Sequence, residues 1–324
     1  LLAAVGMVVI LPARPDLLFE TQGAADAIRA ALPNATVEIP DVTLDLASYE
    51  SVRAFSQHLV AGAGAIDVLC LNAARGGGEN DKLEQTVDGH EATMQVNLLS
   101  HALLVHELLP SLRRSAHVRI AVATSQSRSQ ASSSSLDDLL GKSRFSSPWS
   151  QYMLSKAALC LWTRALNERL LAAGVRGSAV VADPGFAATG LNFQHNIALA
   201  MRLNRRGIKD TRAFHDAHAN HAADAALPLT KACLLGEAND FWMGEMAGPR
   251  ATSPDAAAHL AGYLFWPPLQ RNDPMHWPAG DVQRLWRRVG VLIGKSELES
   301  APLEAQAFEA SEAPVGGAPL HDEV

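Results

Sequence analysis

IDVLCLNAA, residues 66–74, is a short apolar run that ends in Asn72 and two alanines. Other runs of this kind occur at 7–11 (MVVIL), 117–125 (HVRIAVATS) and 176–185 (RGSAVVADPG), and helical patterns separate them. Short apolar runs are typical of strands buried on both faces. Regular alternation of strand and helix implies right-handed crossovers and a parallel sheet covered by helices. The sequence therefore predicts an α/β protein with a doubly wound parallel sheet.

The two ends of the chain depart from this alternation. Only LLAAVG precedes the strand at 7–11, and it has the pattern of the last turns of a helix, so we expect the sheet to lack its first strand. Residues 186–230 are predicted to form a helical lid, within a helical C-terminal extension of a single domain over residues 1–294. Residues 295–324, rich in Ala, Pro and Glu, are predicted to be a disordered acidic tail.

Composition narrows the classes of partner. The 324 residues are 48% hydrophobic and carry a formal charge of −7, but seven of the 34 acids lie in the tail, and the other 27 balance 27 Lys and Arg residues. A neutral body argues against nucleic acid as a partner. Three scattered cysteines fit a reducing compartment, and no apolar run is long enough to cross a membrane. These features predict a cytoplasmic protein, although a targeting signal upstream of Leu1 could be missing.

Tyr152 and Lys156 lie four positions apart in QYMLSKAALC, residues 151–160, and therefore on one face of the helix predicted for residues 152–172. A phenol has a pKa of about 10, and a neighbouring ammonium favours the phenolate, which makes the tyrosine a better acid and base near neutral pH. Such a pair also arises by chance in many helices. Its context adds weight, because Asn72 and Ser125 end predicted strands and therefore lie at the same edge of the sheet.

Five motifs in order resemble the short-chain dehydrogenase/reductase family: CLNAA (70–74), VNLLSH (96–101), RIAVATS (119–125), YMLSK (152–156) and DPGFAATGL (183–191). The resemblance implies a Rossmann-like fold and an oxidoreductase that transfers hydride between NAD(P) and a small-molecule carbonyl or alcohol. It also allows a homo-oligomer. The long segment before Tyr152 and the stretch 227–250 are similar to the retinol dehydrogenase and protochlorophyllide reductase-like branch, which implies a hydrophobic or bulky substrate.

The resemblance also assigns roles to residues. It implies that Tyr152 is the general acid/base, that Lys156 lowers the tyrosine pKa and holds the nicotinamide ribose, and that Ser125 bonds the substrate oxygen. Lys156 and a positively charged nicotinamide ring together would lower the tyrosine pKa by about 2–3 units. Asn97 is expected to hold a water that links Lys156 to solvent. Besides Tyr152 and Lys156, the expected cofactor contacts are Arg14, Asp45, Leu46, Asn72, Ala73, Ala74, Pro184, Gly185 and Thr189.

Cofactor choice depends on the segment ILPARPD after the strand at 7–11. Arg14 there can bind a 2′-phosphate with two parallel hydrogen bonds, which favours NADP, whereas Asp16 could hold a ribose 2′-hydroxyl and favour NAD. Two features depart from the family pattern: Ala74 replaces a glycine, and the Gly-rich turn that receives the pyrophosphate is absent. The alternative is therefore a catalytically inactive, cofactor-free remnant or binding protein of the same fold.

Two further alternatives stay open at the level of sequence. Sugar-nucleotide epimerases share the Tyr-x-x-x-Lys spacing, but their corresponding strand usually ends without an Asn in the place of Asn72. His215, His218 and His221 lie three positions apart and could bind a metal on one helical face. No cysteine or suitably placed carboxylate completes a site near them, so we expect a polar face and no metal.

Overall fold

The computed structural model describes residues 1–62, 64–76, 82–139, 147–170, 172–185, 187, 222–235, 241–243 and 277–295. Most of the predicted lid, nearly all of the predicted acidic tail, Thr189 and the three clustered histidines lie outside these residues.

Six strands form within the described ranges, and every pairing between them is parallel. β1 pairs with β2, and the other four lie in the order β3-β4-β5-β6. Among the described residues no ladder joins the pair to the group of four, in agreement with the expectation that the sheet lacks a strand. The strands are β1 Val9–Ile10, β2 Val37–Glu38, β3 Val68–Leu71, β4 Val118–Ala123, β5 Gly177–Asp183 and β6 Phe241–Met243.

Helices connect the strands, as the sequence predicts. The α-helices are α1 Leu18–Ala31, α2 Tyr49–Gly62, α3 Ala92–Met94, α4 Ser100–Glu107, α5 Leu109–Leu112, α6 Pro148–Leu170, α7 Ala222–Ala225, α8 Leu227–Leu235 and α9 Ala279–Leu292. A π-helical segment, Gln95–Leu99, lies between α3 and α4, and short 3-10 helices cover Gln126–Gln130 and Ser133–Asp138.

Part of the segment before α6 packs against the main core. Leu136 and Leu139 are buried in the main core, and this burial holds the 3-10 helix Ser133–Asp138 in place. Helix α6 begins at Pro148, one turn before the predicted start at Tyr152. Ser147 accounts for the earlier start, because its hydroxyl accepts the backbone N–H of Ser150 (3.1 Å) and caps the first turn.

Both faces of the four-stranded sheet are covered, which confirms the doubly wound arrangement. Side chains alternate along β4, so Ile120 and Val122 pack into the main core with α2, α4 and α6. Ala121 faces the other way and packs against Cys233 of α8. Helix α6 crosses the main core and buries most of its residues. This burial fixes the position of α6 relative to the sheet.

The C-terminal helix α9 packs against α6, as expected for a helical extension. The rings of Trp162 and Trp286 stack with centroids 6.4 Å apart, and the Arg169 guanidinium lies 4.3 Å from the Trp286 ring centroid. Cation–π contacts of this kind add to the burial of aromatic area. Helix α9 therefore stabilises the position of α6, the helix that carries Tyr152 and Lys156.

The pairing of β4 with β5 depends on Gly177. A Cβ at this position would lie 2.1 Å from the Val118 carbonyl oxygen, which is backbone and cannot move aside. Gly177→Ala is therefore expected to lower the free energy of unfolding by about 2–3 kcal/mol, measured by urea denaturation. Gly23→Ala, in the middle of α1 with open space around it, is the control and should raise stability by about 0.5–1 kcal/mol. Equal effects of the two substitutions would contradict the close-contact argument.

Candidate active site

Tyr152 and Lys156 lie side by side on α6 and are both buried. The Lys156 Nζ is 5.9 Å from the centroid of the Tyr152 ring and donates a 2.9 Å hydrogen bond to the Ala123 carbonyl at the end of β4. The Thr124 hydroxyl in turn donates to the Lys156 carbonyl (3.3 Å). These two bonds fix α6 against the carboxyl end of β4.

Ser125 joins the pair from the end of β4. Its backbone is extended and its hydroxyl caps the 3-10 helix Gln126–Gln130 by accepting from the Ser127 backbone N–H. The Ser127 hydroxyl donates to the Ser125 oxygen as well (3.0 Å). The Ser125 hydroxyl lies close enough to the Tyr152 phenol to lower its pKa. The structure therefore brings three predicted site residues, Ser125, Tyr152 and Lys156, into one cluster.

The electrostatics of this cluster differ from the sequence expectation. Burial raises the pKa of Tyr152 to about 12; the nearby Ser125 hydroxyl lowers it and the negative charge of Asp183 raises it further. Burial also lowers the pKa of Lys156 to about 8. The expected lowering of the tyrosine pKa by Lys156 is therefore not found, because burial of the phenol disfavours its charged form and dominates the shift. Without further positive charge at the site, Tyr152 is neutral at physiological pH.

Asn97 is fully buried in the π-helical segment and holds two other parts of the site together. Its Oδ1 accepts the Arg75 backbone N–H (2.7 Å), and its Nδ2 donates to the Arg75 carbonyl (3.0 Å) and to the Ser155 hydroxyl (2.9 Å). Both amide hydrogens are thereby used. The side chain clamps the segment after β3 to α6, and the water-holding role of Asn97 stays a prediction.

The three residues predicted to contact the adenosine side follow β1 and β2. The Leu44 backbone N–H donates to the Ala13 carbonyl (2.8 Å), which places Arg14 near Asp45. Asp45 Oδ1 accepts the backbone N–H of Ala47 (2.8 Å), so this carboxylate stabilises the turn before α2. Leu46 is buried in the main core, and its carbonyl accepts from the Ser100 hydroxyl (2.6 Å).

Arg14 and Asp16, which favour different cofactors, form an ion pair with each other. The Arg14 Nη2 donates to Asp16 Oδ2 (2.6 Å) and its Nε donates to Asp16 Oδ1. This bidentate pair raises the pKa of Arg14 and lowers that of Asp16, while both side chains remain exposed. A 2′-phosphate on Arg14 would have to compete with the Asp16 carboxylate.

The remaining predicted cofactor residues lie at strand ends. Asn72 and Ala73 are exposed directly after β3, Ala74 is half-buried, and the clamp by Asn97 fixes the next residue. Pro184 and Gly185 follow β5; Gly185 has φ 71° and donates its N–H to Asp183 Oδ1 (2.9 Å). All of these positions are at carboxyl ends of parallel strands, where ligands of doubly wound sheets bind. Thr189 lies outside the described residues.

Three buried charged or titratable residues of the site were missed by the sequence reasoning. Arg128 and Asp183 form an ion pair at 2.8 Å beside Ser125 and Gly185. His101, one helical turn after Asn97, lies near Lys156, and burial lowers its pKa to about 3, which keeps the ring neutral. The available signals were the charge of Asp183 at the end of an apolar strand and the i, i+4 spacing of Asn97 and His101. Neither signal identifies the residue that Asp183 or His101 contacts.

Comparison with known proteins identifies a family. The family model described as short chain dehydrogenase matches residues 17–198, more than half of the chain. The chain is 35% identical over 187 residues to mouse (Mus musculus) retinol dehydrogenase 14, covering 55% of this chain and 54% of that protein. It is 32% identical over 193 residues to mouse polyprenol dehydrogenase, covering 59% and 55%. The chain spans about half the length of the known relatives that it matches.

Solved structures support the fold. A protein of unassigned function from Mycobacterium paratuberculosis is similar with a TM-score of 0.58 and 28% identity, covering 90% of this chain and 86% of that one. A Burkholderia cenocepacia short chain dehydrogenase in complex with NADP has a TM-score of 0.54 at 22% identity, covering 76% and 89%. Within the described ranges, no group of His, Cys, Asp or Glu could hold a metal ion, and no helix is long and apolar enough to span a membrane.

Burial of Lys156 has a cost to stability that depends on pH. The folded chain holds the Lys156 proton less tightly than the unfolded chain, so the unfolded state binds more protons between pH 8 and 10.5 and wild-type stability gains from a rise in pH there. Lys156→Met removes this penalty and is expected to raise the free energy of unfolding by about 3 kcal/mol at pH 7, with a smaller difference at pH 10.

Urea denaturation at both pH values measures the effect. Lys82→Met is the control, because Lys82 is exposed and its ammonium is hydrated in both states. A stability difference for Lys156→Met that is the same at pH 7 and pH 10 would contradict the assignment of a buried ammonium.

Proposed function

Because the chain belongs to the short-chain dehydrogenase family, an oxidoreductase family, we propose that it transfers hydride between a nicotinamide cofactor and a carbonyl or alcohol, with Tyr152 moving the proton. The observation that carries this proposal is the cluster of Ser125, Tyr152 and Lys156 at the end of β4. A hydroxyl, a phenol and an ammonium gathered at one strand end form a set that can bind a carbonyl oxygen and protonate it.

The proton chemistry follows from the positions of the three side chains. In reduction, the Ser125 hydroxyl and the neutral Tyr152 phenol both donate to the substrate oxygen, and Tyr152 then gives up its proton as negative charge develops there. The Lys156 ammonium, held beside the ring, stabilises the resulting phenolate. In oxidation, the phenolate accepts the proton of the alcohol. With a pKa of about 12, Tyr152 carries its proton before a ligand binds, and this is the form that reduction needs.

The residues present are compatible with a nicotinamide dinucleotide. Lys156 makes one hydrogen bond within the described residues, to the Ala123 carbonyl, so two of its three N–H groups are free for ribose hydroxyls. When bound, the cofactor supplies or accepts the hydride, and its oxidised ring adds the positive charge that lowers the tyrosine pKa. We favour NADP, because the Arg14 fork matches a phosphate, although Asp16 now occupies that fork.

We propose a bulky, apolar alcohol or aldehyde as the substrate. The relatives named retinol dehydrogenase and polyprenol dehydrogenase suggest this class. In the structure, the Trp149 ring stacks on the Tyr152 ring with centroids 5.4 Å apart. This aromatic surface lies directly beside the proton donor and would contact the carbon chain next to the reacting oxygen.

Tyr152→Phe tests the reaction. The substitution removes one hydroxyl, and we expect at least about a 100-fold loss of NADPH-dependent reduction of retinaldehyde and long-chain aldehydes, followed by cofactor absorbance. Tyr49→Phe is the matched control, because Tyr49 is a buried tyrosine whose hydroxyl bonds only Leu292 within the described residues (3.3 Å); its activity should stay near that of the wild type. Normal turnover with Phe at position 152 would exclude Tyr152 as the acid. Failure of the wild type to bind either NADPH or NADH would favour the cofactor-free alternative.

Cofactor preference can be tested through the Arg14 pair. Asp16→Asn removes the competing carboxylate charge, so we expect NADPH to bind about 3–10-fold more tightly while NADH changes little. Arg14→Ala should weaken NADPH selectively. Fluorescence titration of each reduced cofactor gives both constants. Asp26→Asn, which breaks an exposed ion pair with Arg29 on α1, is the control and should change neither. If Arg14→Ala bound NADH more tightly than the wild type and bound NADPH equally well, our assignment of NADP as the preferred cofactor would be wrong.

A further inference from the structure

Arg128 and Asp183 are the most buried charged pair of the described chain, with side chains only 1% and 2% exposed. Arg128 lies in the 3-10 helix after β4, and Asp183 is the last residue of β5. The Arg128 Nη1 donates to Asp183 Oδ2 at 2.8 Å. The pair therefore bridges the carboxyl ends of two neighbouring strands, directly beside the candidate active site.

Each member of the pair also holds a second group in place. The Arg128 backbone N–H and its Nη1 both donate to the Ser125 carbonyl, at 3.0 and 3.1 Å. On the other side, Asp183 Oδ1 accepts the Gly185 N–H at 2.9 Å. One ion pair thus connects the serine that faces Tyr152 with the left-handed turn at Gly185.

Stability alone does not explain a charged pair at this position. A buried ion pair is often no more stable than apolar side chains of similar volume, because both charges lose their hydration. What the pair provides is a fixed geometry: besides the bond between the two residues, Arg128 donates two hydrogen bonds to the Ser125 carbonyl and Asp183 accepts one from Gly185. The negative charge of Asp183 also acts on Tyr152, whose pKa it raises.

The charges around Tyr152 come from several elements. Lys156 lies on α6 itself, Arg128 and Asp183 lie at the ends of β4 and β5, and neutral His101 on α4 lies close to Lys156. Asp183 raises the pKa of both Tyr152 and Lys156. Burial raises the pKa of Asp183 itself, and the Arg128 guanidinium opposes this rise. Arg128 therefore favours the charged form of Asp183, and its own positive charge is paired with the carboxylate that acts on Tyr152.

We propose that Arg128 and Asp183 are positioning residues of the reaction: their ion pair holds Ser125 and Gly185 in place and balances the charge beside Tyr152. The proposal rests on the proposed function. It makes a distinctive prediction, because each single neutral variant removes only one of the two opposite charges. The two single neutral variants should therefore change the proton affinity of Tyr152 in opposite directions, and the double variant should not.

The pH dependence of kcat/KM for alcohol oxidation at saturating oxidised cofactor, whose positive charge would lower the Tyr152 midpoint into the measurable range, tests this balance. Oxidation needs the phenolate, so the rate rises with pH as Tyr152 loses its proton. Asp183→Asn leaves Arg128 positive and should move the midpoint down by about one pH unit; Arg128→Gln should move it up by about one unit. The double variant Arg128→Gln/Asp183→Asn and the conservative Arg128→Lys should both stay within about 0.3 unit of wild type.

The controls separate charge from structure. Asp281→Asn breaks a different ion pair, with Arg284 on α9, and should leave the profile unchanged. If a single variant fails to fold, the folded double variant and Arg128→Lys still test the balance. Midpoint shifts in the same direction for both single variants, a shifted midpoint in the double variant, or loss of rate without any shift would overturn the proposal.

A second measurement does not depend on turnover. Hydrogen exchange in peptides that contain Ser125–Gln130 and Gly185 should accelerate about 10-fold in each single variant and return near wild type in the double variant, whose neutral side chains can still hydrogen-bond. If the wild type reduces no substrate, the proposed function fails, and this exchange pattern alone decides the positioning role. Unchanged exchange in both single variants would overturn it.

Discussion

The hydrogen bond from the Lys156 ammonium to the Ala123 carbonyl is the interaction on which the rest of the site depends. It brings a buried positive charge of α6 to the carboxyl end of β4 and so decides where the Tyr152 ring lies. A second hydrogen bond, from the Thr124 hydroxyl to the Lys156 carbonyl, attaches α6 to the residue that follows β4. Ser125 follows β4 by two residues, and its hydroxyl lies close to the Tyr152 phenol.

This arrangement places reactive groups where their charged forms are disfavoured. Burial lowers the pKa of Lys156 to about 8 and raises that of Tyr152 to about 12, so both groups are shifted toward their neutral forms. A bound cofactor that brings positive charge would lower the tyrosine pKa again. In the proposed function, a ligand would complete the polarity of the site, and the neutral phenol would donate a proton to a carbonyl.

Much of the fold and the centre of the candidate site could be predicted from the sequence, because both depend on local periodicity. The apolar runs that became β3, β4 and β5 alternate with amphipathic helices, and this pattern is sufficient for a doubly wound parallel sheet. The four-residue spacing of Tyr152 and Lys156 fixes their common helix face. Cofactor preference could not be settled in this way, since Arg14 and Asp16 are both present and only their bidentate contact shows that they compete.

The sequence by itself determined the strand–helix order and the residue types gathered at the strand ends, because these follow from patterns within a few turns of chain. Only the tertiary structure decided which distant groups meet. Arg128 and Asp183 are 55 positions apart, and Asn97 lies 22 positions from Arg75 and 58 from Ser155. It also decided the direction of the Tyr152 pKa shift, because desolvation depends on how completely packing removes the phenol from water, and no local spacing specifies that.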